Sequence, residues 1–173
     1  MSSSTCPACE PTDGAGDSDS ETVTLTCYAP VVDKDATATW YRDVDWSITK
    51  DVTPASAKAF IGGSGTYSYT VTWTKSESDE YVVSGEIDVS NPAGSPGDME
   101  VSLVDMLDAT TEATVDCGEG ATSVTVAPGA TETCTYTGEL ATKTDGTNEV
   151  TGTFGTYDFE ATYPYAFGDP TYL

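Results

Sequence analysis

Three polar residues, Lys50, Asp105 and Asn148, share strand faces that are otherwise apolar. Lys50 alternates in step with Trp46 and Ile48, Asp105 with Val101 and Leu103, and Asn148 with Val150 and Phe154. Buried polar groups need partners, and an unpaired buried charge is costly. A lysine, an acid and a carboxamide on core faces are therefore expected to satisfy one another. They could also react. Desolvation makes a lysine lose its proton more easily, and a carboxyl in an apolar pocket holds one. A neutral amine can then attack the Asn148 carboxamide while the acid shuttles protons. Ammonia leaves, and an intramolecular isopeptide bond remains. Two plainer readings stand beside this one: each residue marks where its strand leaves the core, or the three form an ordinary hydrogen-bonded cluster. Glu86 is a rival acid, but its parity puts it on the solvent face, so Asp105 ranks above it.

The elements that must position these residues are strands. Thr66–Ser90 alternates Tyr67, Tyr69, Val71 and Trp73 with Ser and Thr, and after a polar stretch Val83, Ile87 and Val89 repeat the period. Such alternation, rich in β-branched and aromatic residues, predicts two half-buried strands joined by a turn at Lys75–Glu80. Thr22–Ala29, Ala36–Arg42 and Val44–Val52 read as earlier strands, the last stopped by Pro54, and Ala57–Ile61 as a short one. Met99–Asp105, Ala113–Cys117, Ser123–Ala127, Thr133–Thr137 and Asn148–Phe154 follow, punctuated by Asn91–Asp98, Pro128-Gly129 and Asp145-Gly146. No stretch carries a helical period. Eight to ten strands at this spacing predict an all-β, antiparallel β-sandwich of two sheets with N- and C-terminal strand extensions.

Along the chain this divides into an acidic flexible arm over residues 1–21, an N-terminal strand segment over 22–43, the sandwich over 44–156 and an aromatic C-terminal strand or tail over 157–173. The 173 residues carry 29 acidic and 6 basic side chains, a net charge of −23, and no histidine. That surface repels phosphate backbones and anionic lipid, which argues against nucleic-acid binding. No apolar run is long enough to cross a bilayer, so membrane insertion is not expected. Lacking histidine removes the commonest general base and metal ligand. Asp13, Asp17 and Asp19 lack the register of a calcium loop, and one Cys6-Pro-Ala-Cys9 pair has no second pair to complete a zinc site. No metal, cofactor or catalytic set is expected. Cys117 and Cys134 lie in neighbouring strands and are expected to form a disulfide, which implies an oxidising compartment; two buried thiols are the alternative.

The segments WSITKDVTP, GTYSYTVTWTK, VVSGEIDVSNP, MEVSLVDMLD and TNEVTGTF, in that order, resemble the prokaryotic extracellular Ig-like repeat domains of surface and pilus-like proteins. The resemblance covers roughly Val44–Phe154 and rests on element order. It implies an Ig-like sandwich used as an isopeptide-type stalk module, with Lys50, Asp105 and Asn148 at the places of the family's cross-link residues. The N-terminal strand, the aromatic tail and the additional cysteines depart from the pattern.

The function expected from these features is a structural, self-assembling subunit of an extracellular filament or surface stalk, a helical homopolymer of copies of itself. The subunits would be joined head-to-tail by strand donation and covalent staples. The donated segment would come from Thr22, Val23, Leu25 and Cys27, or from Phe159, Tyr163, Tyr165 and Phe167; pairing of both segments inside their own sandwich is the alternative. A competing function is an extracellular adhesin or carbohydrate-binding module, with Trp40 and the tail tyrosines as the free stacking surface, since Trp46 and Trp73 have core-facing parity. A glycosidase with paired carboxylates is disfavoured because no pair sits in a catalytic context. Neither Asn91 nor Asn148 begins a glycan acceptor triplet, whereas the threonine-rich faces offer sites for O-linked glycans.

Overall fold

A computed structural model describes residues 25–56 and 58–173. It contains no helices among these residues, and ten strands form two sheets. The strands are β1 (Val31–Lys34), β2 (Thr37–Thr53), β3 (Ser68–Ser90), β4 (Met99–Met106), β5 (Thr114–Asp116), β6 (Ser123–Val126), β7 (Thr131–Leu140), β8 (Gly146–Phe154), β9 (Tyr157–Tyr165) and β10 (Thr171–Tyr172). The first sheet runs β10-β2-β3-β7-β5, with β1 also paired to β3; the second runs β6-β4-β8-β9. All pairings are antiparallel except β10 on β2. The core is the interdigitated inner faces: Val83, Ile87 and Val89 from β3 against Val101, Leu103 and Val150 from β4 and β8.

The spine is β3. Residues 75–80, expected to turn, instead continue the strand, and 23 residues run without a break. The stretch Lys75–Glu80 holds no Gly, Pro or Asn to impose a turn, and its charges are satisfied along and across strands. Lys75 pairs with Glu77, and Arg42 on β2 makes a bidentate contact to Asp79 at 2.7 and 2.8 Å. The hairpin is therefore between β2 and β3, in register from Thr37↔Ser84 to Thr53↔Ser68.

This long hairpin outruns the sandwich. β7 joins β3 only from Tyr81 onward, and β10 touches β2 only at Tyr41 and Arg42. Beyond them, β2 and β3 form a two-stranded ribbon with neither a third strand nor a facing sheet among the described residues. Its even-numbered β2 residues and odd-numbered β3 residues continue the core face outward. Lys50, Trp46 and Trp73, expected on a buried face, are consequently exposed. They share the face their parity predicts, but among the described residues no second sheet covers it. The described residues between Pro54 and β3 are loop, with no strand at 58–61.

The N-terminal end differs from expectation, and at the C-terminal end the alternative, pairing inside its own sandwich, is the arrangement present. Thr22 and Val23 lie outside the described residues, as do Cys6 and Cys9; Leu25 and Cys27 are exposed and in no strand. Cys27 is disulfide-bonded. At the other end, Phe159, Tyr163 and Tyr165 belong to β9, which pairs with β8 of its own sheet from Phe154↔Tyr157 to Gly146↔Tyr165. Tyr165 and Phe167 are core residues, their rings edge-on at 6.0 Å. The tail thus completes its own sandwich: its aromatics alternate onto the apolar face that β8 leaves to be covered, and Phe159 fills the space a side chain at Gly152 would need.

Candidate functional site

Of the three polar residues expected to meet, two do. Asp105 is the last inward-facing residue of β4, and Asn148 lies on the adjacent β8, both with no solvent exposure. Lys50 is not with them. It stands on the ribbon, its Nζ 4.4 Å from the centre of the Tyr69 ring. The amine in the site belongs to Lys34, at the end of β1 in the opposite sheet and 6% exposed. Lys34 pairs in register with Ile87 of β3 and reaches across the sandwich.

The contacts have a definite polarity. Lys34 Nζ donates to Asp105 Oδ2 and to Asn148 Oδ1. The Asn148 amide nitrogen donates to the other carboxylate oxygen, Asp105 Oδ1, at 2.5 Å, and to the Met106 carbonyl at 2.8 Å. One carboxylate thus bridges the amine and the amide nitrogen, while the amide carbonyl faces the amine. The Tyr136 ring covers the site with Lys34 Nζ 4.3 Å from its centre.

Local sequence explains how Lys34 is held. Val32 and Lys34 point inward on a four-residue strand, and Asp35 then locks its end. The Asp35 amide donates to the Glu86 carbonyl at 3.1 Å, its Oδ1 accepts from the Glu86 amide at 2.8 Å, and its carbonyl accepts from the Tyr136 hydroxyl at 2.6 Å. This close approach needs Gly85. A Cβ there would lie 2.4 Å from the Asp35 carbonyl oxygen and 2.8 Å from the Tyr136 hydroxyl. Glu86 itself is exposed.

Burial pushes the Lys34 amine below its ordinary value, against the opposing pull of the hydrogen bond and charge of Asp105. Burial likewise raises Tyr136, helped by the nearby charges of Asp105 and Asp35. A lysine whose burial favours the neutral amine, a carboxamide carbon beside it and a carboxylate touching both nitrogens are the components of amide exchange.

Lys34 was missed because VVDK is only four residues between Pro30 and the Asp35 lock, too short a run to register as a strand. Its signal was there: Val32 and Lys34 share a period-two face.

The expected Cys117–Cys134 disulfide is present, with Cα atoms 4.2 Å apart. It ties β5 to β7 one position beyond the Asp116↔Thr135 pair. Trp40, expected to be free for stacking, is half-buried at the ribbon's root. The Arg42 guanidinium lies 4.6 Å from the Trp40 ring and the Lys143 ammonium 4.2 Å. Among the described residues no cluster of three or more potential metal ligands occurs, and no helix is long and apolar enough to cross a membrane.

No protein-family model matches the chain, and no curated protein is significantly similar to it.

Proposed function

We propose that the protein is a structural module, a covalently stapled subunit of an extracellular filament or surface stalk, whose internal staple is an isopeptide bond between Lys34 and Asn148. The observation that carries this reading is the contact of Lys34, Asp105 and Asn148 in a position sealed from solvent. A reactive group that no outside molecule can reach has only its own chain as substrate.

The step balances without a cofactor. Neutral Lys34 Nζ attacks Cγ of Asn148. Asp105 holds the proton the ammonium gives up on becoming neutral; as Nζ loses a second proton to Oδ2, Oδ1 delivers the first to Nδ2, and Asp105 ends as the carboxylic acid. The Cγ–Nδ2 bond breaks, ammonia leaves, and an Nζ–Cγ amide joins β1 to β8 with no change of oxidation state. Such a bond would tie the two sheets together and enclose most of the chain, which suits a subunit that bears load. The Cys117–Cys134 disulfide and the acidic surface support an oxidising exterior, and the order of elements over Val44–Phe154 resembles Ig-like stalk repeats.

Intact mass after reduction of the disulfides tests the reading. The expected mass is one ammonia below that of the sequence, with Lys34→Arg and Asn148→Ala restoring the full value. Full mass in the wild-type chain, folded and aged, would sink it.

A further inference from the structure

Among the described residues, the β2–β3 ribbon presents a continuous apolar face that no other strand covers. Trp46, Ile48, Tyr69, Val71 and Trp73 on this face are each more than half exposed, Trp73 at 66% and Ile48 at 72%. The two indoles lie 5.6 Å apart across the strands. At the tip, Phe60 and Ile61 are fully exposed. Together these side chains offer on the order of 700 Å² of apolar surface. Monomers seldom leave so much bare, and a specific interface buries about 800 Å² per partner.

Charge identifies the partner. Residues 43–80 carry six acidic and three basic side chains, a net charge of −3 with all three lysines (Lys50, Lys58, Lys75) towards the apolar face or the tip. The remaining net charge of −20 lies on the rest of the chain. Two bodies repel each other, whereas a ribbon can approach a body. Lys50 and Lys75 rise from the apolar face, and Lys58 is exposed beside Phe60 at the tip. The surface that complements an aromatic, lysine-edged ribbon is an acidic one with apolar gaps, which the body of a second copy provides.

The receiving place is at the opposite pole. β3 runs from the ribbon through the sandwich to Ser90, and the loop that follows it lines a groove of about 400 Å³ with Leu25, Tyr28, Met99 and Phe154. Pro96 and Asp98 line the same groove, both exposed.

We infer that the ribbon of one copy docks on the opposite pole of the next, with Phe60 and Ile61 in the groove and Lys58 towards Asp98. This inference rests on the filament reading and supplies its joint. Ribbon and groove are different surfaces on opposite ends of one molecule, so the contact is heterologous and propagates instead of closing on itself as a dimer.

The test is complementation with full chains. Wild type is expected to form particles whose mass grows with concentration in sedimentation velocity. Trp46→Ser/Trp73→Ser (ribbon-defective) and Pro96→Asp (groove-defective) are each expected to remain monomeric. Mixed, they are expected to give a one-to-one dimer, because each retains the surface the other lacks; that dimer also proves both variants folded. Assembly of the ribbon variant to wild-type size overturns the joint but leaves the filament reading standing. The same holds for assembly that stops at two wild-type copies. Failure of the two variants to combine, with wild type assembling, also overturns the joint. A strictly monomeric wild type overturns both. Flotation of wild type with zwitterionic phosphatidylcholine vesicles, abolished by Trp46→Ser/Trp73→Ser, would assign the face to lipid and overturn the joint.

Discussion

β4 and the outer half of β2 are built alike and end differently. Met99, Val101, Leu103 and Asp105 alternate with outward residues on β4 just as Trp46, Ile48, Lys50 and Val52 do on β2. Each row carries one ionisable residue among apolar ones. Yet Asp105 has no solvent exposure, and Lys50 lies in the open over Tyr69. What separates the two rows is the layer opposite. β4 faces β3 and its neighbours across the core, whereas β2 beyond Val44 faces no other strand among the described residues. Alternation fixes which side chains share a face; whether the face is covered depends on where another sheet ends. In the body, the polar residue on the apolar row is forced to find partners, and in the ribbon it is left to water.

The comparison is broken most severely by removing the body's polar contact. Asn148→Ala prevents the cross-link, which would otherwise enclose a loop of roughly 115 residues. Its loss is expected to cost about 5 kcal/mol by the chain-entropy argument, lowering Tm by roughly 10–20 °C for a chain of this size. Asp105→Ala should be at least as damaging, since it leaves the Lys34 amine buried beside no carboxylate. Differential scanning calorimetry compares both with Lys50→Ala, which is expected to stay within about 0.5 kcal/mol of wild type. If Lys50→Ala were as destabilising as Asn148→Ala, the division into a covered body and an uncovered ribbon would be mistaken.

Formation of the bond also carries a pH signature. Only the neutral amine attacks, and burial holds Lys34 below its ordinary value of 10.5. The rate of ammonia loss after refolding should therefore rise with pH and level off before 10.5, once the lowered value is passed. Mass spectrometry of timed aliquots measures it. A rate still climbing steeply through 10.5 would mean that Lys34 is not desolvated when it reacts.

Much of this was legible in the residues, and the failures have physical causes. Asp105 and Asn148 were found by parity because β4 and β8 are sandwiched, so an inward polar residue on either must be buried. The Cys117–Cys134 bridge was legible because its strands are neighbours with a short connection. Lys50 was mistaken for the amine because a two-stranded ribbon and a sandwich strand share one period. The supposed turn at Lys75–Glu80 followed from its polarity, but charge is no obstacle to a strand at a sheet's exposed edge, where Arg42 can reach Asp79 and Glu77. Lys34 escaped notice because its period-two pattern spans only four residues, and the strand is held from outside by Asp35 seated on Gly85.

That seat allows a moderate perturbation. Gly85→Ala places a Cβ 2.4 Å from the Asp35 carbonyl and 2.6 Å from Asp35 Oδ1, both parts of the lock itself. The strand end must shift, at an expected cost of about 1–3 kcal/mol. Because Lys34 directly precedes Asp35, the shift should also slow ammonia loss after refolding. Unchanged kinetics with lowered stability would show that Asp35 packs without positioning the amine.

The smallest effect belongs to the ribbon's root, where the covered and uncovered halves of β2 and β3 meet. Arg42 holds the Asp79 carboxyl well below its ordinary range, with hydrogen bonding to the guanidinium as the leading cause. A carboxyl lowered in the folded state contributes its stabilisation above its ordinary value of 3.8 and loses it as pH falls towards the lowered one. Acidification below that point should loosen the pairing of residues 43–53 with 68–78 before the sandwich responds. Hydrogen exchange is expected to accelerate in the ribbon amides while those of β4 and β8 stay protected. Arg42→Gln should produce the same pattern at neutral pH. Both halves of the hairpin share one continuous ladder from Thr37↔Ser84 to Thr53↔Ser68, so uniform acceleration along it would mean that the root is no boundary, and that the ribbon owes its order to the body instead of to its own cross-strand pairs.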